Sequence, residues 1–345
     1  MPAPGPTSTR AGPPPVAPPP VTVLIDAHDD PAVTAQALAS HHVATGRITV
    51  DPTPATTAPA ALAQDILHAL GKTCFGTPDG HGTWADSLTP AWTAVRAWTT
   101  TLHITALTIT RAHRLTEHRL QQLFHLRERT GIHLTLIWHT QPARGLPLPL
   151  AGIEHVITHT GAPPTERASA APTPANRQQP RTAIPWLDPP PRLPGFAVAR
   201  AARGLCGGVG PLPYPAAPTT PQNDAPSELA DRLHTLAHPL HAAALTTALL
   251  TGADPTRLAL IRGNDVHPHG THVKVHDLHA HRHCRIHALP TWAHALITAA
   301  HQHHHDTGRP PDSALHPFIT TRNAATLTEH ANSIHTRLPR MPAGR

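Results

Sequence analysis

The chain has 345 residues, a formal charge of +6 with histidine neutral, 43 prolines and 32 histidines, and a pI near 10.2. That length leaves room for two domains with separate cores. The basic balance, carried almost wholly by arginine, suits a polyanionic partner without requiring one. No run of about 18 apolar residues offers a membrane span, and the first residues lack the charged region and apolar run of an export signal. Cys74, Cys206 and Cys284 are widely spaced with no C-x-x-C pair, which excludes a disulfide framework and a thiolate zinc site and fits a reducing cytoplasm.

Residues 1–20 are dominated by Pro, Ala and Gly and cannot bury enough apolar surface to offset their ordering entropy, so a disordered tail is expected. From 21 to 160, β-rich runs at 21–25, 47–50, 105–110 and 132–138 alternate with helical patterns that begin near Pro31 and cover about 59–70, 88–100 and 117–130. Such alternation predicts an α/β domain with a mostly parallel sheet. Thr116 suits an N-cap, Leu115 and Leu120 have the spacing of a hydrophobic staple, and Gly131 falls where a helix end takes positive φ. Residues 161–225 return to a Pro-rich composition and read as a linker, with a short docked piece expected at 196–206.

Residues 226–330 change character to a helix-rich α+β pattern, and 331–345 read as a flexible tail. Helices are expected at 227–237, capped by Ser227, at 239–250, opened by Pro239 and closed by Gly252, and in a short piece at 255–262. A hairpin of 271–276 with 284–289 follows, then a helix from 290 to about 304. Leu229, Leu233, Leu236 and Leu240 share one face.

The stretch ALTITRAHRLTEHRLQQLFHLRERTGIHLTLIWHT, 106–140, resembles the core of AAA-type ATPases, especially accessory ATPases of transposons. The resemblance implies a P-loop-like sheet in which one strand ends in paired acidic residues and the next carries a polar sensor. Thr110 and Arg111 stand at those acidic positions, so the carboxylates that the family uses to hold magnesium and orient water are missing, and a cation such as Arg111 can do neither job. After VTVLI the chain reads Asp26, Ala27, His28, Asp29, Asp30, Pro31, without the glycines and lysine that cradle phosphates. Gly71-Lys72-Thr73 spells the end of a phosphate loop, but Ile66 stands at its first glycine, so a helix-ending glycine followed by an exposed lysine is the better reading. Hydrolysis is not expected, and no cofactor is.

Residues 246–318 resemble the catalytic domain of tyrosine recombinases, the phage-integrase family, through Thr251, Gly252, Leu258, Arg262, Asp265 and Val266 and the Leu-Pro and helix that follow the hairpin. That family's chemistry implies an Arg after Thr-Gly, a basic residue in the hairpin, an H-x-x-R pair and a nucleophilic Tyr. Asp254 occupies the first Arg position, His279, His281 and Arg282 fill the hairpin turn, and the one tyrosine, Tyr214, precedes the domain. Arg262, Lys274, Arg282 and Arg285 are the candidate phosphate contacts.

Much of the histidine content matches the codon bias of a GC-rich genome, so neither the hairpin histidines nor the run at 301–305 is read as a metal site. The run suits a helix C-terminus instead. Together these features point to a non-catalytic, DNA-associated protein of mobile-element origin, with duplex DNA and an active transposase or recombinase as partners. The alternative is a divergent ATP-binding protein or recombinase with displaced active-site residues.

Overall fold

Short runs rich in Val, Ile, Leu and Thr suit a pleated, buried surface, and five of them pair into one sheet. The computed structural model describes residues 17–54, 58–74, 84–140, 148–160, 226–276 and 284–316. The strands are β1 (Val21–Ile25), β2 (Arg47–Val50), β3 (Ala106–Ile109), β4 (His133–Trp138) and β5 (His155–His159). Their order is β2-β3-β4-β1-β5, and every neighbouring pair is parallel. This is the α/β class and the mostly parallel sheet that the alternation predicts. No buried apolar run marks β5, because it is an edge strand exposed along most of its length.

The helices of this half are α1 (Pro31–Ala39), α2 (Ala61–Ala69), α3 (Leu88–Thr101), α4 (Glu117–Thr130) and a single turn, α5 (Leu148–Ala151). Local chemistry sets their ends. Asp30 caps α1 by accepting from the Ala32 N–H at 2.9 Å, with Pro31 in the first turn. Thr116 caps α4, and Gly131 closes it at φ 70°. Leu115 and Leu120 are both buried, as a staple requires. Arg127, buried on α4, donates to the carbonyls of Pro18 and Pro19, so the segment entering β1 is held down.

The second half comprises α6 (Pro226–Thr235), α7 (Pro239–Thr251), a single turn α8 (Pro255–Leu258), the antiparallel hairpin β6 (His272–Val275) and β7 (Arg285–Ala288), and α9 (Thr291–Asp306). Helix α6 begins at Pro226, which puts Ser227 in its first turn instead of at its cap. The helix expected over 255–262 is cut to one turn, followed by a 3-10 turn at Gly263–Asp265. Residues Pro239 to Leu250 of α7 are all buried, so this mostly apolar helix passes through the interior. Leu229, Leu233, Leu236 and Leu240 are buried together, as their spacing predicts. The tail 1–16, the Pro-rich segment 161–225 with its 196–206 piece, Tyr214, His279, His281, Arg282 and everything after His316 lie outside the described residues.

One hydrophobic core runs through both halves, with α3 packed on α9. The seam is also tied by hydrogen bonds. The Thr73 N–H donates to the Thr235 carbonyl at 2.6 Å, and the Ala237 N–H donates to the Thr73 carbonyl at 3.3 Å. Gly71 ends the α2 turn at φ 73°, as the sequence suggests. Lys72, however, is buried instead of exposed, because the stretch that covers it lies 162 residues further along. Its Nζ donates to the His234 carbonyl at 2.5 Å and sits 3.5 Å from the centre of the Trp98 ring. Trp98 Nε1 in turn donates to the Ala237 carbonyl at 2.7 Å. Burial pulls the Lys72 pKa down to about 7.

Candidate functional site at the C-terminal edge of the sheet

Parallel pairing brings the C-terminal ends of β1, β2, β3 and β4 to one edge of the sheet. Strands β1 and β4 are neighbours, yet β1 leads away to β2 at one side of the sheet and β4 to β5 at the other. The crevice beyond two such diverging strands is where open α/β sheets bind ligands. Asp26 follows β1, Asp51 follows β2, Thr110 and Arg111 follow β3, and His139 follows β4.

These side chains form one connected network. Asp26 is buried, and its Oδ2 lies 3.0 Å from His139 Nδ1 while also accepting from the Asp30 N–H at 2.8 Å. Asp29 Oδ1 lies 3.2 Å from the same His139 nitrogen, and Thr34 Oγ1 lies 3.4 Å from His139 Nε2. Thr110 donates to Asp51 at 2.5 Å. Arg111 spans two carboxylates, with Nη1 3.9 Å from Asp29 and Nε 3.7 Å from Asp51. Two of the three non-glycine residues with positive φ among the described residues are here, Asp29 at 51° and Arg111 at 49°. Such a conformation costs on the order of 1–3 kcal/mol for a residue such as arginine and persists where the surroundings over-determine it. His113, in the turn after Arg111, is held below its ordinary pKa by partial burial and then by the charge of Arg114.

Asp26, Asp29 and His139 each offer a ligand atom within 4.8 Å of the other two, a set that could hold a divalent cation. A proton on His139 Nδ1, donated to the carboxylates, satisfies the same geometry without an ion. The turn after β1 offers no phosphate cradle: no glycine or lysine stands in it, and Lys72 is buried in the seam. Thr110 is at the C-terminal strand edge, where the sequence puts it.

The candidate DNA contacts are dispersed. Arg262 is exposed at the start of the Gly263–Asp265 turn, where its N–H donates to Asp265 Oδ2 at 2.9 Å. Lys274 is opposite Ile286 and shares the outer hairpin face with His272, whereas Arg285 is opposite Val275 on the face of buried Val273 and His287. Lys274 and Arg285 therefore point to opposite sides. Asp254, at the position of the recombinase family's first arginine, caps α8 by accepting from the Thr256 and Arg257 N–H groups at 2.9 and 3.0 Å. The histidine run ends α9, but His303 and His304 are buried instead of facing solvent.

Sequence reasoning picks out Asp26, Asp29, Thr110 and Arg111 and misses His139 and Asp51. The missed pair shares one signal: each is the first strongly polar residue after an apolar strand. No family model, no curated protein and no solved structure matches the chain.

Proposed function

We propose that the chain is a non-catalytic, DNA-associated protein of mobile-element origin, an accessory or remnant of integration or recombination machinery. The observation that carries this reading is the condition of residues 110 and 111. A hydrolase of the resembled class needs a carboxylate for magnesium and another for water there. Thr110 instead donates to Asp51, and Arg111 is locked between Asp29 and Asp51. In the other half, Asp254 serves as a helix cap where an arginine would clamp phosphate. The net charge of +6 and the outward Arg262 and Lys274 favour a phosphate-bearing partner over a neutral one.

A gel-shift series of the full chain on duplex DNA at increasing salt tests this. Binding at low salt that weakens linearly on a log–log plot is expected, and Lys274→Ala should flatten the slope by about 0.9, the contribution of one phosphate contact. No shift of any duplex at low salt overturns DNA association. A covalent protein–DNA adduct overturns the loss of chemistry. The rival reading, a divergent ATP-binding protein, is favoured by the Asp26–Asp29–His139 set. Magnesium-dependent ATP turnover that disappears in Asp29→Asn would establish it instead.

A further inference from the structure

At the base of the hairpin three side chains stand in line. Cys284 Sγ lies 3.1 Å from His276 Nδ1, and His276 Nε2 lies 2.7 Å from Asp265 Oδ2. The protons can be placed by elimination. An ionised carboxylate only accepts, so His276 Nε2 carries the hydrogen that bonds to Asp265. In neutral His276, Nδ1 is then a bare acceptor aimed at the thiol. Asp265 is only 9 % exposed and is held in place by the Arg262 N–H, which fixes its aim. Because His276 turns a different ring nitrogen to each neighbour, the three cannot bind one metal ion together. They are arranged instead as nucleophile, base and orienting carboxylate.

We propose that Cys284 is a nucleophilic thiol, activated by His276 and Asp265, that exchanges with low-molecular-weight disulfides. The inference stands apart from DNA association. His276 Nδ1 takes the thiol proton, and the imidazolium is stabilised by Asp265. The Cys284 thiolate attacks one sulfur of the disulfide, a new S–S bond forms as the old one breaks, and the departing thiolate takes the proton from His276. The only co-reactant is the disulfide, and the two sulfurs exchange partners without net redox change. Among the described residues, the ionisable groups on the elements that bear the relay include Arg262 on the turn, His272 and Lys274 on β6, Arg285 and His287 on β7, and His301 and His304 on α9. Of these described groups Arg262, Lys274 and Arg285 are cationic, and cations beside a thiol favour its thiolate. Cys74 is the internal contrast: burial, then the nearby Asp86, push its pKa up to about 11.

The test follows the reaction of the full-length chain, carrying Cys206→Ser, with 4,4′-dithiodipyridine from pH 5 to 8. Mass spectrometry assigns the modified residue. Cys284 should react at pH 6 at least 10-fold faster than N-acetylcysteine, and Cys74 far more slowly. His276→Gln and Asp265→Asn should each slow Cys284 about 10-fold at pH 6 and move its rate profile to that of an ordinary thiol near pH 8.5. A variant that merely loosened the hairpin would expose the thiol without lowering its reactivity at pH 6. A Cys284 rate equal to that of N-acetylcysteine across the range, or one untouched by His276→Gln, overturns the proposal.

Discussion

The strand-end network and the cluster around His303 on α9 treat buried polar groups in opposite ways. At the strand ends Asp26, His139, Asp51, Thr110 and Arg111 all have partners, converging from four strands. Under α9, His303 is buried with neither ring nitrogen hydrogen-bonded, and Trp92 Nε1 and Arg96 Nε also lack hydrogen bonds. Nearby, His238 and His241 stack face to face at 4.0 Å. The first arrangement orients groups for binding. The second holds His303 as a neutral, apolar-like ring. Removing the polar group should therefore cost stability at the strand ends and add it at His303.

The largest effect that tests this contrast is acid unfolding. Burial pushes His234, His287 and His303 down to about 4 and His316 to about 3. Their unfolded-state values near 6.5 are higher, so on acidification the unfolded chain takes up protons first. Stability is then complete above about pH 6.5 and falls toward pH 4, by up to ~1.4 kcal/mol per pH unit for each histidine. Against a usual total of about 5–15 kcal/mol, the chain should unfold before pH 4. Urea midpoints measured from pH 7 to 4.5 check this, and a flat profile would break the contrast.

A matched pair of substitutions sharpens it. Asp26→Ala takes from the Asp30 N–H its acceptor and from buried His139 the nearer of its two carboxylates, leaving Asp29 as the other, and should destabilise by about 2 kcal/mol. His303→Leu removes two unbonded nitrogens and should stabilise by about 1–2 kcal/mol while lessening the acid slope. Urea unfolding at pH 7 reads both, and effects of the same sign would refute the distinction. The smallest change is expected of Arg111→Gly. It relieves about 1 kcal/mol or more of backbone strain and forfeits two partly exposed ion pairs worth less than about 1 kcal/mol each, so its midpoint should stay close to the wild type. A loss above about 2 kcal/mol would mean that the guanidinium, not the backbone, organises the strand ends.

Much of the fold is legible because its signals are local. Asp30 and Pro31, Thr116 and Gly131, and Pro239 and Gly252 mark helix ends within a few residues, and the apolar runs of β1 to β4 mark their own burial. What the sequence conceals depends on distant partners. Lys72 reads as exposed because its cover comes from α6 and the residues after it. His139 is hidden for another reason: in a chain with 32 histidines, one more carries little information until a strand end places it beside Asp26. Strand β5 escapes because pairing, not hydrophobicity, makes it a strand.

The seam also determines how the two halves depend on the chain between them. Lys72, Thr73 and Trp98 on one side meet the carbonyls of His234, Thr235 and Ala237 on the other, so the two halves are joined by bonds that do not run through residues 161–225. A change in the length of that segment therefore leaves every one of these seam contacts with both of its partners.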